Sequence, residues 1–197
     1  MRLDIALKEW AGVVELMLAG RACLLLRKGG VHEEAGPGRF HLEHDRFALW
    51  PAWEHERLDW IKPGWHTPAA EKRAEKRCQE PFSEPDPVPV ASWAEVVKIW
   101  QVPSRAAFDR LDDLHPWAKP QIDMRFNYKP DRPLYLLALR PWRLPAPAMI
   151  PNQPRYAGCR SWIDLDPSDA IHTGGSEPAI CDADVSAIIT RVDQAFD

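Results

Sequence analysis

The eleven residues LLLRKGGVHEE, Leu24 to Glu34, decide how the rest of the chain is read. Leu24, Leu25 and Leu26 complete an apolar run that begins at Ala22, long enough for a buried strand and short for a helix. Arg27 and Lys28 end the run, and Gly29-Gly30 permits the positive φ of a tight turn. A strand running into a turn needs a neighbour, so this stretch predicts a sheet. The same turn could do chemistry. Successive N–H groups at Gly29 and Gly30, closed by Arg27 or Lys28, suit an anion. The spacing matches neither G-x-x-x-x-G-K-[ST] nor G-x-G-x-x-G, so a plain hairpin bend is the other reading.

Working outward, Leu7, Trp10, Val14 and Met17 recur at helical spacing, and the sequence predicts a helix over Leu3 to Ala19, stopped at Gly20. Phe40 and Leu42 alternate with His41 and Glu43, Phe47 and Leu49 resume in the opposite phase after a turn or bulge near His44-Asp45-Arg46, and together they predict two more strands in an antiparallel meander. Trp50 to Pro68 reads as loop. Thr67-Pro68 opens a helix whose body, AAEKRAEKRCQE, is polar on every side, either solvated or disordered; EPFSEPDPVP (Glu80 to Pro89) is a stiff linker. Val88 to Val102 suits either strand or helix, with strand preferred; Ser104 to Leu114 reads as a short helix capped by Ser104, and Tyr135 to Leu139 as the strongest strand of the second half. Cys159 to Leu165 is another strand. From Asp182 a closing helix carries Val185, Ile188, Ile189, Val192 and Phe196 on one stripe.

The 197 residues carry a net charge of −4, which excludes a generally basic nucleic-acid binder. No apolar run reaches the roughly 18 residues of a membrane span, and Asp4, Lys8 and Glu9 argue against a secretory signal. Cys23, Cys78, Cys159 and Cys181 form no C-x-x-C pair, so reduced thiols in a cytoplasm are expected. The charge is uneven. Arg125 to Arg160 holds seven cations and one acid, Asp131, for a net +6; Ser161 to Asp197 has a net −7. The two segments could neutralise each other, or the first could hold an anion. Phe126, Tyr128, Tyr135, Trp142 and Tyr156 interleave with its cations, as on surfaces that stack bases and neutralise phosphates. Arg125, Arg140 and Arg143 are its candidate binding residues. With 20 prolines and 10 tryptophans, long fixed loops and large aromatic packing are expected throughout.

Five histidines lie between His32 and His66. His32 with Glu33, and His55 beside Glu54, are the candidate acid–base groups. No H-E-x-x-H occurs, and no metal site is predicted. Cys159 beside Arg160 could carry a lowered pKa, though a buried cysteine before a packed tryptophan is the simpler state.

Five blocks in this order, ALKEWA (from Ala6), LLLRKGGVHE (from Leu24), FALWPAWEH (from Phe47), RPLYLLALR (from Arg132) and YAGCRSW (from Tyr156), resemble the bacterial family catalogued as domain of unknown function 1802. The resemblance covers roughly residues 4–165. It implies no reaction. Some family members occur with a restriction-endonuclease-like domain, which implies a place in restriction–modification or DNA defence; no such nuclease domain is visible here. The matching blocks mark Lys8, Glu9, Arg27, Lys28, Gly29, Gly30, His32, Glu33, His55, Arg140, Arg160 and Trp162 as a polar network or the lining of one cleft.

The expected architecture is one α+β domain over 1–197: an N-terminal helix, a mostly antiparallel sheet drawn from both halves, a C-terminal helix, and long Pro/Trp-rich loops. Residues 67–89 form a polar excursion and 166–197 an acidic tail. Three functions follow: a module binding nucleic acid or another phosphate-bearing ligand; an enzyme acting on a nucleotide or phosphorylated compound through His32, Glu33 and His55; or an interaction protein without a ligand. Whether it is an enzyme, and with which cofactor, the residues leave open. No membrane partner is expected.

Overall fold

The structure, a computed structural model, describes residues 1–28, 44–80, 83–158 and 160–197. In chain order the elements are β1 (Arg2–Leu3), β2 (Ile5–Trp10), α1 (Ala11–Leu18), β3 (Leu24–Arg27), β4 (Arg46–Ala52), α2 (Pro68–Gln79), β5 (Val88–Gln101), α3 (Arg105–Asp109), α4 (Lys119–Asn127), β6 (Tyr135–Ile150), β7 (Trp162–Asp164), β8 (Ile171–His172), β9 (Glu177–Pro178) and α5 (Asp182–Phe196). The fold is α+β. Among the described residues the main sheet runs β3-β6-β5-β4-β2-β7, with β9 also on β6, and β1 pairs with β8. Both halves of the chain build it.

The expected N-terminal helix begins eight residues late. Ile5 to Trp10 is β2, between β4 and β7, and only Ala11 onward is helical. The segment satisfies both periods. Its odd positions, Ile5 and Leu7, pack into the core beneath the helices, while Ala6 packs into the core on the other face. Pairing on both edges and burial on both faces outweigh the helical spacing. The expected meander is also corrected. β2 runs parallel to β4, in register Leu7 with Leu49, and β3 pairs with β6 from the second half, Leu25 with Leu137. The remaining pairings are antiparallel. The strand expected around Phe40 and Leu42 lies outside the described residues.

Alternation then continues across the sheet. Phe47 and Leu49 join the core formed with α1, α3, α4 and α5, whereas Ala48 and Trp50 join Leu3, Val90, Tyr156, Ile163 and Ile171 on the reverse face. A sheet buried on both faces explains strands as apolar as LLLR and YLLAL.

Caps end the helices where the sequence predicts. Thr67 Oγ1 accepts from Ala70 N at 3.1 Å with Pro68 next, and Ser104 Oγ accepts from Ala107 N at 3.1 Å. The polar helix α2 buries only Ala70. Charge fastens it instead: Arg73 pairs with Glu56 at 3.0 Å and with Glu15 of α1, and Arg77 donates to the Glu56 carbonyl at 2.7 Å and to that of Trp53. Helix α4 was not expected; KPQIDMRFN carries no clear apolar stripe.

Candidate anion-binding site

Glu9 stands near the end of β2 on the same face as Ile5 and Leu7, pointing toward the helix-covered core. A carboxylate there needs partners, because burying an unpaired charge costs several kcal/mol. Its Oε1 accepts from Trp10 N at 2.8 Å, and its Oε2 from Arg27 Nη2 at 2.9 Å. Arg27 Nη2 also donates to the Lys8 carbonyl at 2.8 Å. The Arg27 and Glu9 side chains are 10% and 9% exposed. In sheet order β6, β5 and β4 separate β3 from β2. The ion pair therefore spans a gap that the coiling of the sheet brings together.

A second guanidinium joins them. Arg125 lies in the last turn of α4. Burial pushes its pKa below the usual arginine value, Arg27 lowers it further, and Glu9 pulls it back. Among the described residues nothing accepts from the buried Nε of Arg125, nor from that of Arg27. Beside them Lys28 Nζ donates to the Phe126 carbonyl at 2.9 Å, an interaction the negative end of α4 favours. Burial lowers the Lys28 pKa and Asp131 opposes the shift. Among the described residues the cluster thus sets Glu9 among three cations, with Asp131 acting on Lys28.

The flanking strand supplies more charge. Lys8 Nζ donates to the Gly158 carbonyl at 3.1 Å, and Lys8 N to Ser161 O at 2.8 Å. Leu7 is in register with Trp162, and the exposed Arg160 precedes β7 by two residues. Trp162 meets Phe47 edge-on at 5.0 Å and His44 at 5.3 Å, and its buried Nε1 has no acceptor among the described residues.

Other expected site residues lie in different surroundings. Arg140 pairs with Glu95 at 3.2 Å and with Asp182 at 2.8 Å. Arg143 donates to the carbonyls of Leu18 (2.6 Å), Ala179 (2.9 Å) and Pro178 (3.3 Å), tying the end of α1 to β9. Both guanidiniums are engaged in holding the fold. His55 is exposed, has a left-handed backbone with φ 62°, and faces Glu54 at 3.5 Å. Gly29, Gly30, His32 and Glu33 lie outside the described residues, as does Cys159. Part of the cationic segment is neutralised by the acidic one, through Arg140 with Asp182 and Arg155 with Asp166 at 2.7 Å. Among the described residues no three His, Cys, Asp or Glu side chains group as metal ligands, and no helix is long and apolar enough to cross a membrane.

Sequence reasoning missed the Phe126 carbonyl and the Trp10 amide, since neither backbone group leaves a mark in the residue alphabet. It singled out Arg125 by charge alone.

A family model described as a domain of unknown function, DUF1802, matches residues 6–190. No curated protein matches the chain. Among solved structures it is similar to the crystal structure of ASCH from Zymomonas mobilis, with a TM-score of 0.47 at 10% identity, covering 84% of this chain and 89% of that one. A mutant of that protein gives a TM-score of 0.46 at 13% identity over 85% and 92%.

Proposed function

This chain belongs to the family described as a domain of unknown function, DUF1802, and we propose that it binds a phosphate-bearing ligand, nucleic acid before others, at the cluster of Glu9, Arg27, Lys28 and Arg125. The observation that carries this is the half-buried Arg125, whose buried Nε has no acceptor among the described residues, set near Arg27 and Glu9. A partly desolvated guanidinium with an unsatisfied donor costs stability, and an arriving anion lowers that cost. Guanidinium is the group that matches phosphate oxygens with paired donors. Lys8 on β2 and the exposed Arg160, just before the paired β7, add positive charge for a strand of phosphates. The DNA-defence setting implied by the family resemblance would supply such a ligand.

The test is fluorescence anisotropy of a labelled oligonucleotide against salt concentration. Affinity should fall linearly on a log–log scale, and Arg125→Met should lower the slope by about one. Wild-type protein showing no salt-dependent binding at low ionic strength overturns the proposal.

A further inference from the structure

We infer that helix α2 is a strap latched by charge, which high ionic strength releases as a unit while the sheet stays folded. Its release needs no ligand and is independent of phosphate binding.

The docked face of α2 is short of apolar groups. Of its twelve residues only Ala70, Arg73, Ala74 and Arg77 are buried or half-buried. Their spacing is that of one helix face, but it presents two methyl groups and two guanidiniums where a docking helix ordinarily presents leucine or valine. Packing along the helix is also incomplete. A cavity of about 30 Å³, wide enough for a water, lies between α2 and Leu58, Ile61 and Trp65. A cleft of about 180 Å³ borders Arg73, Lys76 and Arg77. Side chains facing a void forfeit dispersion contacts.

Charge supplies the hold instead. Arg73 bridges two acids from different parts of the chain: its Nε and Nη2 donate to Glu56 at 3.0 and 3.1 Å, and its Nη1 to Glu15 of α1. Thr67 Oγ1, at the cap of α2, also donates to Glu15. Glu56 has a second role. Its Oε1 accepts from Gly12 N at 2.6 Å, near the start of α1, so the acid stays in place when the strap leaves. A Cβ on Gly12 would lie 3.0 Å from that oxygen and 3.5 Å from the Ala70 Cβ, so glycine there admits both the acid and the helix. The chain is pinned on either side of the strap. His66 Nε2 lies 3.0 Å from the Ile61 carbonyl, and Asn152 N donates to Asp86 at 3.0 Å.

Raising salt from 0.1 to 1 M shortens the screening length from about 10 to about 3 Å. The Arg73 pairs are 20% exposed on the arginine and 28% on Glu15, so ions reach them. The apolar contacts of the sheet are not screened. Once undocked, a helix of this length is marginal in water and melts, which frees its amides.

The experiment is hydrogen exchange on the full chain, read by peptide mass spectrometry in 0.1 and 1 M sodium chloride at one pH. Rates are divided by those of an unstructured peptide in the same buffer. The amides of residues 72–79 should exchange about fivefold faster in 1 M salt, while those of β5 and β6 stay within twofold. Glu15→Gln should speed α2 exchange at least threefold in 0.1 M salt, flatten its salt response, and leave β5 and β6 unchanged. Exchange of α2 at the rate of β5 and β6 in both salts overturns the strap, because the helix then opens only by global unfolding. A salt response of α2 under twofold overturns the charge latch, and so does exchange as fast as the unstructured peptide in 0.1 M salt. Should Glu15→Gln not fold, the wild-type salt comparison decides alone.

Discussion

Lowering the pH should unfold this protein through one residue, His115. Its ring is fully buried, stacked on Phe108 at 4.8 Å and Trp117 at 5.2 Å. Neither ring nitrogen has a partner among the described residues. Burial pushes its pKa down to about 3 from an ordinary 6.5; Lys62 adds to the lowering, while Asp112 and Asp109 oppose it. The folded state therefore holds the neutral ring, and the unfolded chain takes up a proton first as pH falls. The stability supplied by the neutral ring is complete above pH 6.5 and drains away down to pH 3. Each pH unit in that window is worth about 1.4 kcal/mol. At pH 5 the loss should be about 2 kcal/mol, a large share of a typical stability. The comparison is wild type against His115→Phe, which keeps a flat ring in the stack and removes both nitrogens. Urea unfolding followed by tryptophan fluorescence at pH 7, 6 and 5 gives the slope for each. Carboxylates shared by both proteins cancel in the difference. Parallel slopes across that range would refute the assignment of this pH dependence to His115.

Other outcomes follow from the same contacts. Arg125→Met should raise thermal stability, by up to about 1 kcal/mol, while weakening oligonucleotide binding, because it replaces a half-buried cation, whose Nε has no acceptor among the described residues, by an apolar chain of similar length; a calorimetric melt that drops instead would place Arg125 in a structural role. Gly20 has φ +69°, and a Cβ there would lie 2.3 Å from the Ala179 carbonyl oxygen. Gly20→Ala should cost about 1–3 kcal/mol for the backbone alone, read from the shift in urea midpoint. Arg143→Ala should loosen α1 from β9 and destabilise by about 1–3 kcal/mol, since three carbonyls lose a charged donor; hydrogen exchange at the end of α1 reports it. Burial pushes the Cys23 thiol up to about 12, while Cys78 and Cys181 are exposed. Thiol reagents followed by peptide mass spectrometry should label those two before Cys23.

Much of the fold was legible because several segments satisfy only one period or carry their own cap. YLLAL reads only as a strand, VPVASWAEVVKIW suits either period with strand preferred, and both form long partners, β6 and β5. Thr67-Pro68 and Ser104 mark their helices by side chains that bond two or three residues ahead. Ile5 to Trp10 misled because its apolar residues suit either period, and the deciding neighbours, Ala48 to Ala52 and Trp162 to Asp164, are distant in the chain. Helix α4 gave no stripe, since its polar residues include the buried Gln121.

The candidate site divides in the same way. The family-like blocks marked Lys8, Glu9, Arg27 and Lys28, charge alone picked out Arg125, and residue patterning pointed to an α+β fold with its polar helix and apolar closing stripe. Only the tertiary structure decided which charges meet. The Arg27–Glu9 pair joins strands four places apart in the sheet order, and Arg125 comes near them where Lys28, next to β3, bonds the end of α4. Arg140 and Arg143, equal to Arg125 by charge, went to Asp182, Glu95 and the end of α1 instead. Charge is carried by the residue, but its partner depends on distance, and distance is settled by which strands pair.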